Sequence, residues 1–233
     1  MRVDDSSATQ SFEEAYPAVY RRRFEEMTDM RLEGRVLDVG CGPAEHWAEV
    51  PNADEVVRLD VDPYDGDTEV VADAADLPFA DSSFDAVRSS AVLEHLDYHS
   101  LIDFVAESRR VLADGGRFVA SAPFSFPLHS EPNDRHRPTV HGLEELLERE
   151  GFEVDLVYKG GSYADSLLHA LFQPFLSACL WAGRPGLAAA FLPMHLAVRT
   201  AGGLVDAAVR AAVGENAIGE RWYLMNGVSG VAR

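Results

Sequence analysis

Residues 36–44 read VLDVGCGPA, and this stretch decides the fold of the chain. Val36, Leu37 and Val39 form the apolar run expected of a strand that is buried on both faces of a parallel sheet. Gly40 and Gly42 then allow a sharp turn in which bare backbone faces a flat ligand. Asp38 places a carboxylate just before that turn, which suits a cation and repels a pyrophosphate. We therefore predict a ligand-binding turn at the end of the first strand of an α/β sheet.

Two acidic residues extend this site. The segment EVVRLD predicts a second strand, and it ends on Asp60, about 20 residues past the glycine turn, where an acid commonly accepts hydrogen bonds from both ribose hydroxyls of a nucleoside. A third strand, VVAD, ends at Asp73 and Ala74, whose carboxylate and backbone amide suit the exocyclic amine and ring nitrogen of adenine. A dinucleotide fingerprint requires a third glycine at position 45, which is Glu45, so a NAD-dependent oxidoreductase is the weaker alternative.

Four motifs then occur in order over residues 35–158: VLDVGCG, the LD that closes strand two, DAADLPFADSSFDAVRSSAVLEHL and RRVLADGGRFVASAPF. Together they resemble a class I S-adenosylmethionine-dependent methyltransferase of the type 11 group. The resemblance implies a Rossmann-like α/β fold with a seven-stranded, mostly parallel sheet whose last strand is antiparallel and lies at the edge. It also implies S-adenosylmethionine as cofactor, whose ammonium and sulfonium groups explain Asp38. The cofactor-binding residues would be Asp38, Gly40, Cys41, Gly42, Asp60, Asp73, Ala74 and Ser89.

A long polar loop, SFPLHSEPNDRHRPT, follows the fifth predicted strand. It leaves the carboxyl end of that strand, which is the edge where open α/β sheets bind ligands. We expect His129 or His136 to act as general base if the acceptor is a hydroxyl, and Glu131, Arg135 and Arg137 to contact the acceptor. A simply exposed loop is the alternative. A metal site is a further alternative, but the spacing of these side chains matches no dedicated motif, and we expect no metal.

Helical periodicity is predicted over residues 11–31, 98–112 and 139–150, with Asp114-Gly115-Gly116 ending the second helix and Thr139 capping the third. Residues 1–10 are expected to be a disordered tail, and 11–233 a single methyltransferase domain. Residues 162–220 are apolar and poor in acids, which predicts a helical insertion between strands six and seven. Three interpretations of the insertion stay open: a packed lid, a homodimer interface, and a surface that contacts a membrane or a lipid-linked acceptor.

The chain carries 39 acidic residues against 20 Lys and Arg, a net charge of -19. This charge disfavours nucleic acid as a partner. It is typical of proteins from salt-accumulating cells, so we expect folding to depend on salt. The two cysteines form no disulfide framework, and neither a signal peptide nor a spanning helix is predicted. We expect a cytoplasmic protein, with contact at the inner face of the membrane left open.

Methyl transfer from a sulfonium needs alignment in a dry pocket more than it needs a particular catalytic residue. The sequence thus favours transfer to a small molecule, with a hydroxyl of a sugar or lipid-linked compound as the leading acceptor. The rival hypothesis is a noncatalytic cofactor-binding or scaffold protein that engages a partner through the helical insertion of residues 162–220.

Overall fold

The computed structural model describes residues 32–43, 50–64, 68–125, 128, 130, 132–160, 204 and 225–233. Most of these residues fall in one compact unit that comprises Arg21–Phe124, Pro132–Tyr158 and Asn226–Arg233. Several predictions concern residues outside the described set: the tail 1–10, the helix 11–31, the insertion 162–220 except Leu204, His129 and Glu131.

The described strands form one seven-stranded sheet. Their bounds are β1 Gly34–Val39, β2 Ala53–Asp60, β3 Val70–Val71, β4 Phe84–Ser90, β5 Leu112–Pro123, β6 Phe152–Gly160 and β7 Met225–Ala232. They lie in the order β3-β2-β1-β4-β5-β7-β6. Strands β1 to β5 pair in parallel, and β7 is antiparallel. This arrangement confirms the predicted fold class, and it brings the carboxyl ends of β1 to β5 to one edge of the sheet.

The position predicted for the last strand is wrong. We expected it at the edge, but β7 lies between β5 and β6, and β6 forms the edge. Arg117 of β5 spans this arrangement, since its Nη1 donates to Ser229 Oγ of β7 at 2.8 Å and to Asp155 Oδ2 of β6 at 2.7 Å. A strand pattern reports which face of a strand is buried, whereas the identity of its neighbours depends on contacts far away in the chain.

Two helices with complete caps pack on the sheet. Helix α1 spans Tyr98–Val111, and the Asp97 side chain accepts hydrogen bonds from its first turn. Helix α2 spans Val140–Arg149, with Thr139 as the predicted cap. The glycine pair expected to end α1 does not do so, because β5 begins directly after Val111. The pair instead lies where the register of β4 with β5 shifts, and Gly115 has a φ of 79° there.

Among the described residues, the sheet has a larger apolar cluster on one face and a smaller one on the other. The large core includes Leu37 and Phe118 together with the buried sides of both helices. The smaller core contains Leu32, Val36, Ala86 and Val119. One step further toward the carboxyl edge this second face becomes polar, because β1 and β4 next place charged residues there. This change from apolar to charged residues lies at the candidate ligand site.

The LPF segment between β3 and β4 is fixed by one arginine. Arg110 of α1 donates to the carbonyl oxygens of Leu77 and Phe79 at 2.9 and 2.7 Å, and to the carboxylates of Glu107 and Asp81 at 2.7 and 2.9 Å. The hydrogen bonds from Arg110 lower the pKa of Glu107, and the same bonds raise the pKa of the guanidinium. The connection after β3 is therefore anchored to the helix beneath the sheet.

Candidate functional site

The backbone of the glycine turn is held against β2 and leaves no room for a side chain at residue 40. Gly40 and Gly42 have φ values of 73° and 64°, a region that glycine adopts at low cost. The amides of Gly40 and Cys41 both donate to the carbonyl of Leu59, at 2.8 and 3.2 Å, which ties the turn to β2. A Cβ placed on Gly40 would lie 2.1 Å from Val92 Cγ2. The turn thus presents bare backbone, as the sequence predicted, and Cys41 is buried in it.

Asp60 closes β2 directly beside this turn. Its Oδ2 accepts the amide of Gly42 at 3.0 Å, and its Oδ1 accepts the amide of Asp62 at 3.1 Å. A carboxylate oxygen has two lone pairs, so each oxygen keeps one acceptor position for a ligand. Asp60 is 8% exposed, and both oxygens of its carboxylate accept a backbone hydrogen bond. It suits a pair of neighbouring hydroxyls, such as those of a ribose.

Asp73 and Ala74 lie next to Asp60 at the same edge. Strand β3 pairs Val71 with Asp60, and the amide of Ala72 donates to the Asp60 carbonyl at 3.0 Å. Asp73 is exposed, and its Oδ1 accepts the amide of Ala75 at 2.9 Å, while Ala74 is buried. The predicted ribose and adenine residues are therefore brought together by the sheet.

Asp38 and Arg88 form a buried ion pair next to the turn. Arg88 donates to Asp38 through Nε at 3.1 Å and Nη2 at 2.6 Å, so both carboxylate oxygens are engaged. The two residues are opposite each other in the β1 and β4 register. The sequence interpretation missed Arg88, although an arginine among the apolar and small residues of the AVRSS segment in β4 was a signal that could have identified it.

Ser89 differs from the other predicted cofactor residues. Its side chain is 1% exposed, and its hydroxyl makes no hydrogen bond within the described part of the chain. In the sheet register it lies opposite Val39 and Ala120, which belong to the large core. Its side chain therefore faces the core rather than the polar face that carries Asp38.

The loop after β5 is attached to the segment that follows β4. The amides of Arg135 and His136 donate to the carbonyl of Glu94 at 2.8 and 3.4 Å, and His95 Nδ1 lies 3.2 Å from the carbonyl oxygen of Asn133. Glu94 itself is fully buried, and its Oε1 lies 3.7 Å from His95 Nε2. The loop is thereby held near the carboxyl end of β4. This end lies at the cofactor edge, the edge of the sheet where β1 to β5 end and the predicted cofactor residues lie.

His136 is the predicted base that the structure describes. Its Nε2 is buried and has no hydrogen-bond partner among the residues described. Burial lowers the pKa of His136, and the charges of Arg135 and Arg137 lower it further, while Asp97 and Glu94 oppose them. A histidine with a lowered pKa is neutral at pH 7 and can accept a proton.

The two arginines predicted to contact an acceptor differ. Arg137 pairs with Asp134 of its own loop, in a contact that includes Nη2 to Oδ2 at 2.6 Å. Arg135 is exposed.

Within the ranges that the structure describes there is no cluster of His, Cys, Asp or Glu that could hold a metal ion. No helix in those ranges is long and apolar enough to cross a membrane.

Comparison with known proteins bears on the same part of the chain. Residues 37–120 match the family model described as a methyltransferase domain, Methyltransf_11. This part of the chain is similar to class I S-adenosylmethionine-dependent methyltransferase domains. Domains of this family use S-adenosylmethionine as cofactor, and the sheet order described above is their Rossmann-like scaffold.

Two relatives and one solved structure illustrate the similarity. A "probable S-adenosylmethionine-dependent methyltransferase" of Mycolicibacterium smegmatis is 37% identical, over 54% of this chain and 54% of its own. An O-methyltransferase of Aspergillus nomiae is 27% identical, over 65% of this chain and 78% of its own. The crystal structure of a SAM-dependent methyltransferase from Aquifex aeolicus covers 100% of both chains with 13% identity and a TM-score of 0.56. The chain thus spans only about half the length of the Mycolicibacterium relative.

Proposed function

We propose that the protein transfers a methyl group from S-adenosylmethionine to a hydroxyl of a small-molecule acceptor, a sugar or a lipid-linked compound. The observation that carries this proposal is the attachment of the loop after β5 to Glu94, because it holds His136 near the edge that carries the glycine turn and Asp60. The similarity to an O-methyltransferase supports a hydroxyl acceptor. The apolar composition of residues 162–220 supports a lipid-linked one.

Each described site residue has a part in the proposal. The methionine end of the cofactor binds against the turn formed by Gly40, Cys41 and Gly42, and its ammonium binds to Asp38. Asp60 binds the ribose hydroxyls, while Asp73 and Ala74 bind adenine. The bound cofactor would supply the methyl group and leave as S-adenosylhomocysteine, and His136 would accept the proton of the acceptor hydroxyl. The buried Nε2 atom and the lowered pKa of His136 support that role.

The proposed cofactor and reaction are tested on the purified protein in molar potassium chloride. Calorimetric titration with S-adenosylmethionine and with NAD identifies the cofactor, and transfer of a labelled methyl group to a panel of sugars and polyprenyl-linked sugars identifies the acceptor by mass spectrometry. Binding of S-adenosylmethionine with transfer to a hydroxyl supports the proposal. Binding of NAD alone, or of neither ligand, contradicts it, and binding without any transfer favours the scaffold hypothesis.

The role of His136 is tested by His136→Asn, with His141→Asn as the matched control. His141 is exposed on α2, and its side chain is 78% accessible. Loss of a general base lowers kcat by about 10² to 10⁴. We expect that loss only in His136→Asn, with an unchanged Kd for the cofactor. Full turnover in this variant would show that another group, or none, takes the proton, while the methyl transfer itself would stand.

A further inference from the structure

The buried ion pair between Asp38 and Arg88 has a geometry that the cofactor site can use. The side chains are 6% and 7% exposed, and two hydrogen bonds of 3.1 and 2.6 Å join the guanidinium fork to the carboxylate. Such bidentate pairs fix orientation as well as charge. The carboxylate therefore cannot rotate freely, and each of its oxygens still has one unused lone pair.

Stability alone gives little reason for this pair. A buried ion pair contributes about as much to folding as apolar side chains of the same volume, and often less, because both charges lose their hydration. Two residues earlier on the same face of the sheet, β1 and β4 place an apolar pair in register, Val36 and Ala86. The charges occur one step further along, two residues before Gly40. Their position at the ligand edge indicates a use beyond packing.

The neighbouring strand adds a second cation. Arg58 of β2 is opposite Asp38 in the register, and its Nη1 lies 3.6 Å from Glu69 Oε1. Asp38 is thus flanked by arginines on both neighbouring strands, and it is the carboxylate at the centre of the row. Arg88 sets the direction of this carboxylate, which lies two residues before Gly40.

We infer that Arg88 is a positioning residue, which orients the Asp38 carboxylate so that its free lone pairs receive the ammonium of the amino-acid end of the cofactor. The inference rests on the proposed function. It assigns to Arg88 a role in discriminating ligands that carry the amino-acid end from those that lack it. Arg88 acts through Asp38 and does not need to touch the cofactor.

The test compares two ligands that share the adenosine and the thioether sulfur. S-adenosylhomocysteine carries the ammonium and carboxylate, and 5′-methylthioadenosine carries neither. The Kd of each is measured by calorimetry in molar potassium chloride for the wild type and for Arg88→Lys, which keeps the charge and loses the fork. We expect wild type to prefer S-adenosylhomocysteine. We expect this preference to fall by about tenfold or more in the variant, the scale of a hydrogen bond to a charged group, with unchanged affinity for methylthioadenosine.

Two further variants keep the test decisive. Asp38→Leu/Arg88→Leu replaces the whole pair by apolar side chains, a change that folds with buried ion pairs often tolerate. This variant should abolish the preference, and it is used if Arg88→Lys does not fold. Arg117→Leu removes a different cross-strand arginine and should leave the preference unchanged. A wild-type preference retained in Arg88→Lys, or in the double variant when Arg88→Lys does not fold, would overturn the inference. A wild type that binds both ligands equally would also overturn it, whereas a wild type that binds neither would refute the proposed function itself.

Discussion

Replacement of Gly40 by alanine offers a quantitative test of the glycine turn. The new Cβ would lie 2.1 Å from Val92 Cγ2 and 3.3 Å from two further carbons of that side chain. Carbon atoms normally approach to about 3.5–4.0 Å, so Val92 or the turn must move by more than 1 Å. Overpacking of this kind costs about 1–3 kcal/mol. The positive φ of 73° adds about 1–2 kcal/mol for any L side chain.

Gly115→Ala is the matched control, because Gly115 has a φ of 79° and its Cβ would meet nothing within 4 Å. It should lose only the backbone part, about 1–2 kcal/mol. Gly40→Ala should lose about 2–5 kcal/mol in total. The free energies of unfolding are measured by urea titration in molar potassium chloride, with the Kd of S-adenosylhomocysteine for each variant. We expect weakened binding in Gly40→Ala only.

Val92→Ala removes the carbon in closest contact and should rescue Gly40→Ala. A double-mutant cycle then gives the steric part as the coupling free energy, expected at about 1–3 kcal/mol. Equal losses for Gly40→Ala and Gly115→Ala, or no coupling with Val92→Ala, would show that the turn adapts and that the contact does not constrain residue 40.

Three other outcomes are expected. The pKa of His136 is lowered in the folded protein, so the unfolded chain binds a proton first as the pH falls below about 6.5. The free energy of unfolding should therefore decrease with falling pH, and His136→Asn should weaken that decrease. The acid limb of the kcat/KM profile should lie below pH 6.5. The net charge of -19 predicts that Tm rises through a potassium chloride series, and equal Tm at low and molar salt would contradict this. Arg110→Met removes hydrogen bonds to two carbonyls and two carboxylates and should cost roughly 1–3 kcal/mol in urea unfolding, while Arg149→Met at the end of α2 should cost little.

The local parts of the fold were readable from the sequence. The apolar run of β1, the glycine turn and the Thr139 cap each depend on residues a few positions apart, and the structure contains them at the predicted places. Asp60 is also where the pattern placed it, since a strand end is a local feature. The cofactor edge of a parallel sheet then follows, because every carboxyl end lies on the same side.

The parts that the sequence could not supply join distant residues. Arg88 meets Asp38 only after β4 has paired with β1, and His136 meets Glu94 only after the loop has folded back. The glycine pair after α1 was predicted to end that helix, but it lies within β5 at a shift of strand register. A Gly-rich segment signals an unusual backbone, but whether it ends a helix or lies at a shift of strand register depends on the neighbouring strand.

The place of β7 between β5 and β6 also affects how the chain folds during synthesis. Translation produces β6 long before β7, since β6 ends at Gly160 and β7 begins at Met225. Until residues 225–232 leave the ribosome, β5 has one unpaired edge and β6 has no strand beside it. Exposed strand edges favour association with other chains, and long-range pairing is slow. The nascent chain should therefore depend on chaperones most strongly in the interval between these two strands.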